Sequence, residues 1–205
     1  MIDNKIKNII FDWGGVLINI DPAGCMAQFG KLGMKDVANA PIAFNDIMTA
    51  YETGIISTEE FRNEIRGIIG QHITNQQIDS AWNSMVLSVP EYKLQLLLEL
   101  NRHYSVYLLS NTNSLHWASA AERVFKYKDF VLKDFFRQTF LSFEMKCKKP
   151  GKEIFTKALN EAGIKAEETL FIDDLKENCE AAQSVGINTL LYNQGQNLKE
   201  LLEWK

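Results

Sequence analysis

The sequence predicts an α/β fold: a Rossmann-like, doubly wound parallel sheet with a small all-helical cap inserted after its first strand. Short apolar runs at residues 6–11, 104–109, 169–172 and 187–191 read as strands, and helical patterns separate them, the alternation expected of parallel strands joined by crossover helices. Residues 19–90 break that alternation, with amphipathic helical periodicity, almost no strand signal and turn punctuation at Asp21-Pro22, Gly54 and Gly70. The first three runs end in polar residues, at the strand ends where an open α/β sheet places its ligands.

The first run, Ile9-Ile10-Phe11, is apolar at successive positions, as a strand covered on both faces must be, and it drives into Asp12 and two glycines. Gly14 and Gly15 let the backbone turn sharply and approach a ligand. The helical segment follows, and Pro90 marks the return, which divides the chain into a core of residues 1–18 and 91–205 and a cap of residues 19–90. A helix over 91–103, with Leu94, Leu97 and Leu98 on its core-facing stripe, leads to the second strand and to Ser110-Asn111-Thr112. Residues 125–136, rich in lysine and aromatics, read as an amphipathic helix covering the sheet. Pro150-Gly151 opens a helix over 151–162, the third run ends in Asp173-Asp174, and a helix over 176–185 stops at Gly186. Leu198 to Leu202 form a last apolar stripe.

With 46% hydrophobic and 23% charged residues among 205, the composition is that of a soluble globular protein. A net charge of -4 leaves no electrostatic footprint for nucleic acid, and the cluster Lys146, Lys148, Lys149 is too short for a binding tail. Cys25, Cys147 and Cys179 are odd in number and widely spaced, which fits reduced thiols rather than a disulfide or zinc framework. The N-terminus lacks a signal-peptide apolar region, and no run is long enough to span a bilayer. These features describe a cytoplasmic protein without nucleic-acid or membrane partners; oligomeric state is not legible.

Asp12, Ser110-Asn111 and Asp173-Asp174 each lie just past a strand, so the topology brings them to one sheet edge. Carboxylates meeting there repel unless a cation neutralises them, and an all-oxygen site suits Mg²⁺. Ser110 and Asn111 add neutral donors for an anionic oxygen, and Lys149 offers a positive charge before a helix N-terminus, where anions are already favoured. Asn178 lies four residues beyond Asp174, a spacing that puts both on one helix face. The assembly describes a phosphate held against a metal.

In this order the segments resemble the motifs of the haloacid dehalogenase superfamily. Phe11-Asp12-Trp13-Gly14-Gly15-Val16-Leu17 resembles the first and Leu108-Leu109-Ser110-Asn111-Thr112 the second. Lys149-Pro150 with Glu153-Ile154-Phe155 resembles the third, and Phe171-Ile172-Asp173-Asp174 with Asn178 the fourth. Residues 51–61 are similar to the helical cap of the branch containing alpha-glucose-1-phosphate phosphatase and the phosphatase domain of soluble epoxide hydrolase. The resemblance implies a Mg²⁺-dependent phosphatase of a small phosphorylated metabolite, with Asp12 as the nucleophile that forms an aspartyl phosphate and Lys149 as its catalytic partner. It implies Asp12, the Gly14 carbonyl and Asp174 as metal ligands, Ser110, Asn111 and Lys149 on the phosphate, and Asp173 and Asn178 as the residues that orient them.

Two positions depart from the family pattern. Phosphatases of the superfamily usually carry a second aspartate two residues after the nucleophile, as general acid and base, where this chain has Gly14. Without that acid the reaction depends on a good leaving group, so sugar 1-phosphates are expected to outrun 6-phosphates. Lys146 stands where relatives commonly have glycine, which changes that loop or adds charge to the site. A metal-independent haloacid dehalogenase is disfavoured by Asp173-Asp174, whose charge would repel an anionic haloacid, and a binder without turnover by the retained Asp12 and Lys149. His72, His103 and His116 are expected at the surface or at helix ends, Asp21 in a turn, and Trp13 either gating the pocket or packed under the cap.

Overall fold

The structure is a computed structural model that describes residues 2–35 and 42–203. Strand β1 (Asn8–Phe11) is followed by helices α1 (Pro22–Lys31), α2 (Ile42–Glu52), α3 (Thr58–Ile69) and α4 (Asn75–Asn83), and then α5 (Glu91–Leu100) leads into β2 (Ser105–Ser110). The chain continues through α6 (Ser114–Val124), α7 (Leu132–Phe135), β3 (Gln138–Leu141), α8 (Ser142–Met145) and α9 (Lys152–Ala162). It ends with β4 (Thr169–Asp173), α10 (Lys176–Gln183), β5 (Asn188–Leu191) and α11 (Leu198–Leu201). Among the described residues the strands form one five-stranded parallel sheet, ordered β3-β2-β1-β4-β5.

Alternation along β1 explains the layering. Ile9 and Phe11 face one apolar cluster with Leu97, Val106 and Leu108, while Ile10 faces the other with Leu109, Phe155 and Phe171. Both faces are covered, as a parallel sheet requires. The register sets Phe11 beside Leu108 and Ile172, so the residues that follow β1, β2 and β4 emerge side by side at the centre of the sheet.

Helices α1 to α4 pack around a cluster of their own, with Phe29, Phe44, Tyr51, Phe61 and Trp82 buried at its centre. Tyr51 stacks on Phe61 at 4.4 Å between ring centroids, and Phe61 meets Trp82 at 5.1 Å. Capping boxes at Ser57 with Glu60 and Thr74 with Gln77 satisfy the first turns of α3 and α4. Asp21 ends its turn as the cap of α1, accepting from the Gly24 N–H at 2.8 Å. Among the described residues no helix is long and apolar enough to cross a membrane.

The structure corrects the sequence reading at two elements. β3 has no counterpart in that reading, because Gln138–Leu141 is short, begins with exposed Gln138 and half-buried Thr139, and shows too little apolar pattern to read as a strand. The helix expected over 125–136 is reduced to the single turn of α7, because Tyr127 and Phe130 pair across a tight turn in which Lys128 is left-handed at φ 55°. Covering is achieved instead by Phe125, set edge-on against Phe136 at 4.9 Å.

Candidate active site

Asp12 leaves β1 with its N–H bonded to the Ile172 carbonyl at 2.9 Å, which holds it between the two central strands, and only 7% of its surface is exposed. Lys149 reaches it from the loop before α9. Its ammonium donates to Asp12 Oδ1 at 2.5 Å, to Asp173 Oδ2 at 2.7 Å and to the Leu109 carbonyl at 3.1 Å. The other oxygen of Asp173 accepts from the Leu175 N–H at 2.8 Å and the Asn178 amide at 2.9 Å. Asp173 therefore has partners on both oxygens and acts as the anchor of Lys149. Asn178 serves Asp173, not a face shared with Asp174, because α10 begins at Lys176 and leaves Asp174 outside the helix.

Burial, and next the charge of Asp173, outweigh the pull of Lys149 on Asp12 and raise its carboxyl to about 7. Asp174 is raised as well, first by burial and then by Asp173. Burial opposes the charge of Lys149, yet Asp12 and Asp173 beside it hold its ammonium above the ordinary value. A carboxylate oxygen from each of Asp12, Asp173 and Asp174 lies within 4.8 Å of the others. Lys149 is shared between Asp12 and Asp173, so buried Asp12 and half-buried Asp174 together carry more negative charge than the one lysine offsets. An oxygen-seeking divalent cation fits that donor set.

Of the two glycines after Asp12, Gly15 is the one the geometry requires. It sits at φ +84°, and a Cβ there would fall 2.2 Å from Asp174 Oδ2. A Cβ at Gly14 would meet only Ile20, at 3.6 Å, an ordinary contact.

Ser110 is buried and lines the same cavity as Asp12, Gly14, Lys149 and Asp174. Asn111 also lines it, but its side chain is engaged elsewhere. Its Nδ2 donates to the Lys149 carbonyl and its Oδ1 accepts from the Lys149 N–H, both at 2.9 Å. The amide splints the end of β2 to the Lys149 loop through its oxygen and one of its two N–H groups, and so fixes the lysine. Lys146 turns away from Asp12 and Lys149, left-handed at φ 59°, and donates to the Gly54 carbonyl at 2.7 Å.

The cavity, about 370 Å³, continues upward between Ile18, Ile20, Met48, Trp82, Met85 and Val86. Trp13 lines it while packing edge-on against Trp117 at 5.3 Å, the buried arrangement rather than a free gate. His72 and His103 are exposed, and His116 lies in the first turn of α6, at a helix end as expected, but is buried. Its Nε2 donates to the Trp82 carbonyl at 2.9 Å, which leaves Nδ1 to accept from the Asn113 amide at 3.2 Å. The ring stacks on Trp82 at 4.6 Å, and burial pushes its pKa down to about 4. Trp82, His116 and Glu52 escape the sequence reading as cavity residues, since single side chains at helical spacing look like any core position.

Comparison with known proteins agrees with this geometry. The chain is 32% identical over 201 residues to a D-ribitol-5-phosphate phosphatase of Bacteroides thetaiotaomicron, covering 96% of this chain and 97% of that one. It is 26% identical to a sesquiterpene phosphatase of Aspergillus oryzae over 88% of this chain and 87% of the other. A haloacid dehalogenase family enzyme of Bacteroides thetaiotaomicron, solved in complex with magnesium and inorganic phosphate, superposes with a TM-score of 0.90 at 43% identity, over 96% of this chain and 98% of that one. The profile of the haloacid dehalogenase-like hydrolases matches residues 6–186, and with a parallel sheet that gathers Asp12, Ser110, Lys149 and Asp174 in one cavity, the chain belongs to that family.

Proposed function

We propose that the protein is a Mg²⁺-dependent phosphomonoesterase that hydrolyses a small phosphorylated metabolite through an aspartyl phosphate on Asp12, with residues 19–90 acting as a cap over the reaction. The observation that carries this reading is the buried Lys149 ammonium held between Asp12 and Asp173, in a cavity that also contains Asp174. Asp12 attacks phosphorus and the ester P–O bond breaks, the oxygen leaving as the alcohol with a proton from solvent, while Lys149 offsets charge on the transferring group and the Ser110 hydroxyl holds a non-bridging oxygen. Water then hydrolyses the acyl phosphate, returning the carboxylate and releasing phosphate. Asp12, the Gly14 carbonyl and Asp174 would hold Mg²⁺, which would supply the positive charge that lets Asp12 work ionised beside a dianion. The related enzyme with bound magnesium and phosphate supports both the ion and the anion.

Two observations favour different alcohols. Gly14 offers no acid to the departing oxygen, which favours activated esters such as sugar 1-phosphates. The phosphatase relative is named for D-ribitol 5-phosphate, an ester of a primary alcohol, and it matches over nearly the whole chain. Sugar 1- and 6-phosphates and ribitol 5-phosphate, compared by kcat/KM with Mg²⁺ and with excess chelator, decide between them. Full activity in chelator, or halide release from a 2-haloacid without phosphate release from any ester, would overturn the phosphatase reading. We place the enzyme in the cytoplasm, where its three buried free cysteines stay reduced.

A further inference from the structure

From the geometry of the cavity wall we infer that Glu52 is a specificity residue that accepts a hydrogen bond from a hydroxyl of the leaving group; the inference rests on the phosphatase reading. Helix α2 presents Met48 and Glu52, one turn apart, to the cavity. The rest of the upper wall is apolar, from Ile18 and Ile20 to Trp82 and Val86. Among the described lining residues Glu52 is the one charged group contributed by α1 to α4.

Its position is held from two sides. The Glu52 carbonyl accepts from Ser142 Oγ at 2.6 Å, and that hydroxyl also takes the Thr112 N–H at 2.9 Å. The side chain is held through Oε2, which receives Lys148 Nζ at 2.7 Å. No bond to Oε1 occurs among the described residues, and the side chain is 23% exposed, so one oxygen of a fixed carboxylate remains open to a ligand. Lys146 pins the next turn through the Gly54 carbonyl, where a Cβ would sit 2.2 Å from the Phe143 carbonyl. The basic cluster before the catalytic lysine thus secures the end of α2.

Charge decides which donor suits that oxygen. A bare carboxylate here would repel a phosphate ester, but Lys148 makes the pair neutral, so a neutral hydroxyl is favoured over an ammonium. Lys149 is the single cation among the described lining residues and is already assigned to the transferred phosphate, so no second phosphate is provided for. An apolar wall against the C–H faces of a short chain, with one acceptor at its edge, suits a monophosphorylated polyol.

The test compares ribitol 5-phosphate with n-pentyl phosphate, which has the same chain length and a primary ester but no hydroxyls. Wild type should prefer the polyol in kcat/KM. Glu52→Ala should shrink that preference by about 10- to 100-fold, the size expected for loss of a hydrogen bond to a charged acceptor, with the change in KM. Glu52→Gln, which keeps an oxygen acceptor and its tie to Lys148, should recover part of it. An unchanged preference, or equal losses for both esters, would reduce Glu52 to a structural tie and overturn the inference. A loss in kcat that grows with leaving-group basicity would overturn it too, by making Glu52 a proton donor. A wild type inert toward every ester, p-nitrophenyl phosphate included, would instead remove the phosphatase reading, and this inference with it.

Discussion

The floor and the roof of the cavity are built from opposite materials. The floor consists of charged and polar groups at the ends of β1, β2 and β4 and in the loop before α9, and they are tied to one another: Lys149 with Asp12 and Asp173, Asp173 with Asn178, Asn111 with the Lys149 backbone. The roof comes from helices packed by aromatic rings, with Trp82 among Phe29, Phe44 and Phe61. They meet at a seam of hydrogen bonds, in which the Tyr51 hydroxyl lies 2.9 Å from Ser114 Oγ and Trp82 Nε1 donates to Asn113 Oδ1 at 3.2 Å. Reactivity therefore rests on sheet register, and the shape offered to the alcohol rests on helix packing. Substitutions should separate the two.

The largest effect belongs to the floor. Asp12→Asn preserves shape but cannot attack phosphorus, so kcat should fall by at least about 10³-fold while the urea unfolding midpoint stays near that of wild type. A variant with several per cent of wild-type turnover would mean that another group is the nucleophile. Trp82→Ala is the mirror experiment. It opens a cavity among four rings and removes one of the two donors to Asn113 Oδ1, so about 3–5 kcal/mol of stability should be lost in urea unfolding. A loss below about 1 kcal/mol would show that the roof is not packed around this indole.

The contrast also explains what can be read from the sequence. Asp12, Ser110 and Asp173 are legible because strands end where ligands bind, and an apolar run followed by polar residues shows its end in one dimension. The place of Lys149 is legible through its proline and the helix that follows. The role of Asn111 is not, because its bonds run to a backbone 38 residues away, and a sequence motif carries no orientation. His116 and Glu52 escape for a related reason: their roles arise from contacts between α6 or α8 and the ends of α2 and α4, which no local pattern records. Lys146 and Lys148 look like surface charge and are ties across the seam.

A matched pair of glycine variants sharpens the picture of the floor. Gly15→Ala puts a Cβ at a left-handed residue and against Asp174 Oδ2, so the carboxylate must move. Half-saturating Mg²⁺ for phosphate release should rise about tenfold or more, with a smaller change at saturating metal. Gly14→Ala faces only an ordinary contact with Ile20 and should shift the Mg²⁺ requirement much less. Equal shifts would mean that Asp174 is not constrained by the turn.

The smallest effect tests whether the seam between floor and roof is dry. Folded His116 takes its proton only near pH 4, because burial disfavours the cation, whereas the ordinary value, expected of the unfolded chain, is 6.5. As pH falls below 6.5 the unfolded chain binds the proton first, so stability drains away through that window and levels off once the folded form is protonated near pH 4. Other groups titrate over the same range, so the quantity to measure is the difference between wild type and His116→Gln. Between pH 7.5 and pH 4.5 the wild type should lose about 1–3 kcal/mol more in urea unfolding than the variant. The glutamine can still reach a backbone acceptor, and its stability at pH 7.5 should fall through the lost stack on Trp82 and the lost acceptor for the Asn113 amide. Parallel pH curves for the two proteins would place His116 in contact with water, and the seam that holds α4 against α6 would then be wet and the roof free to lift.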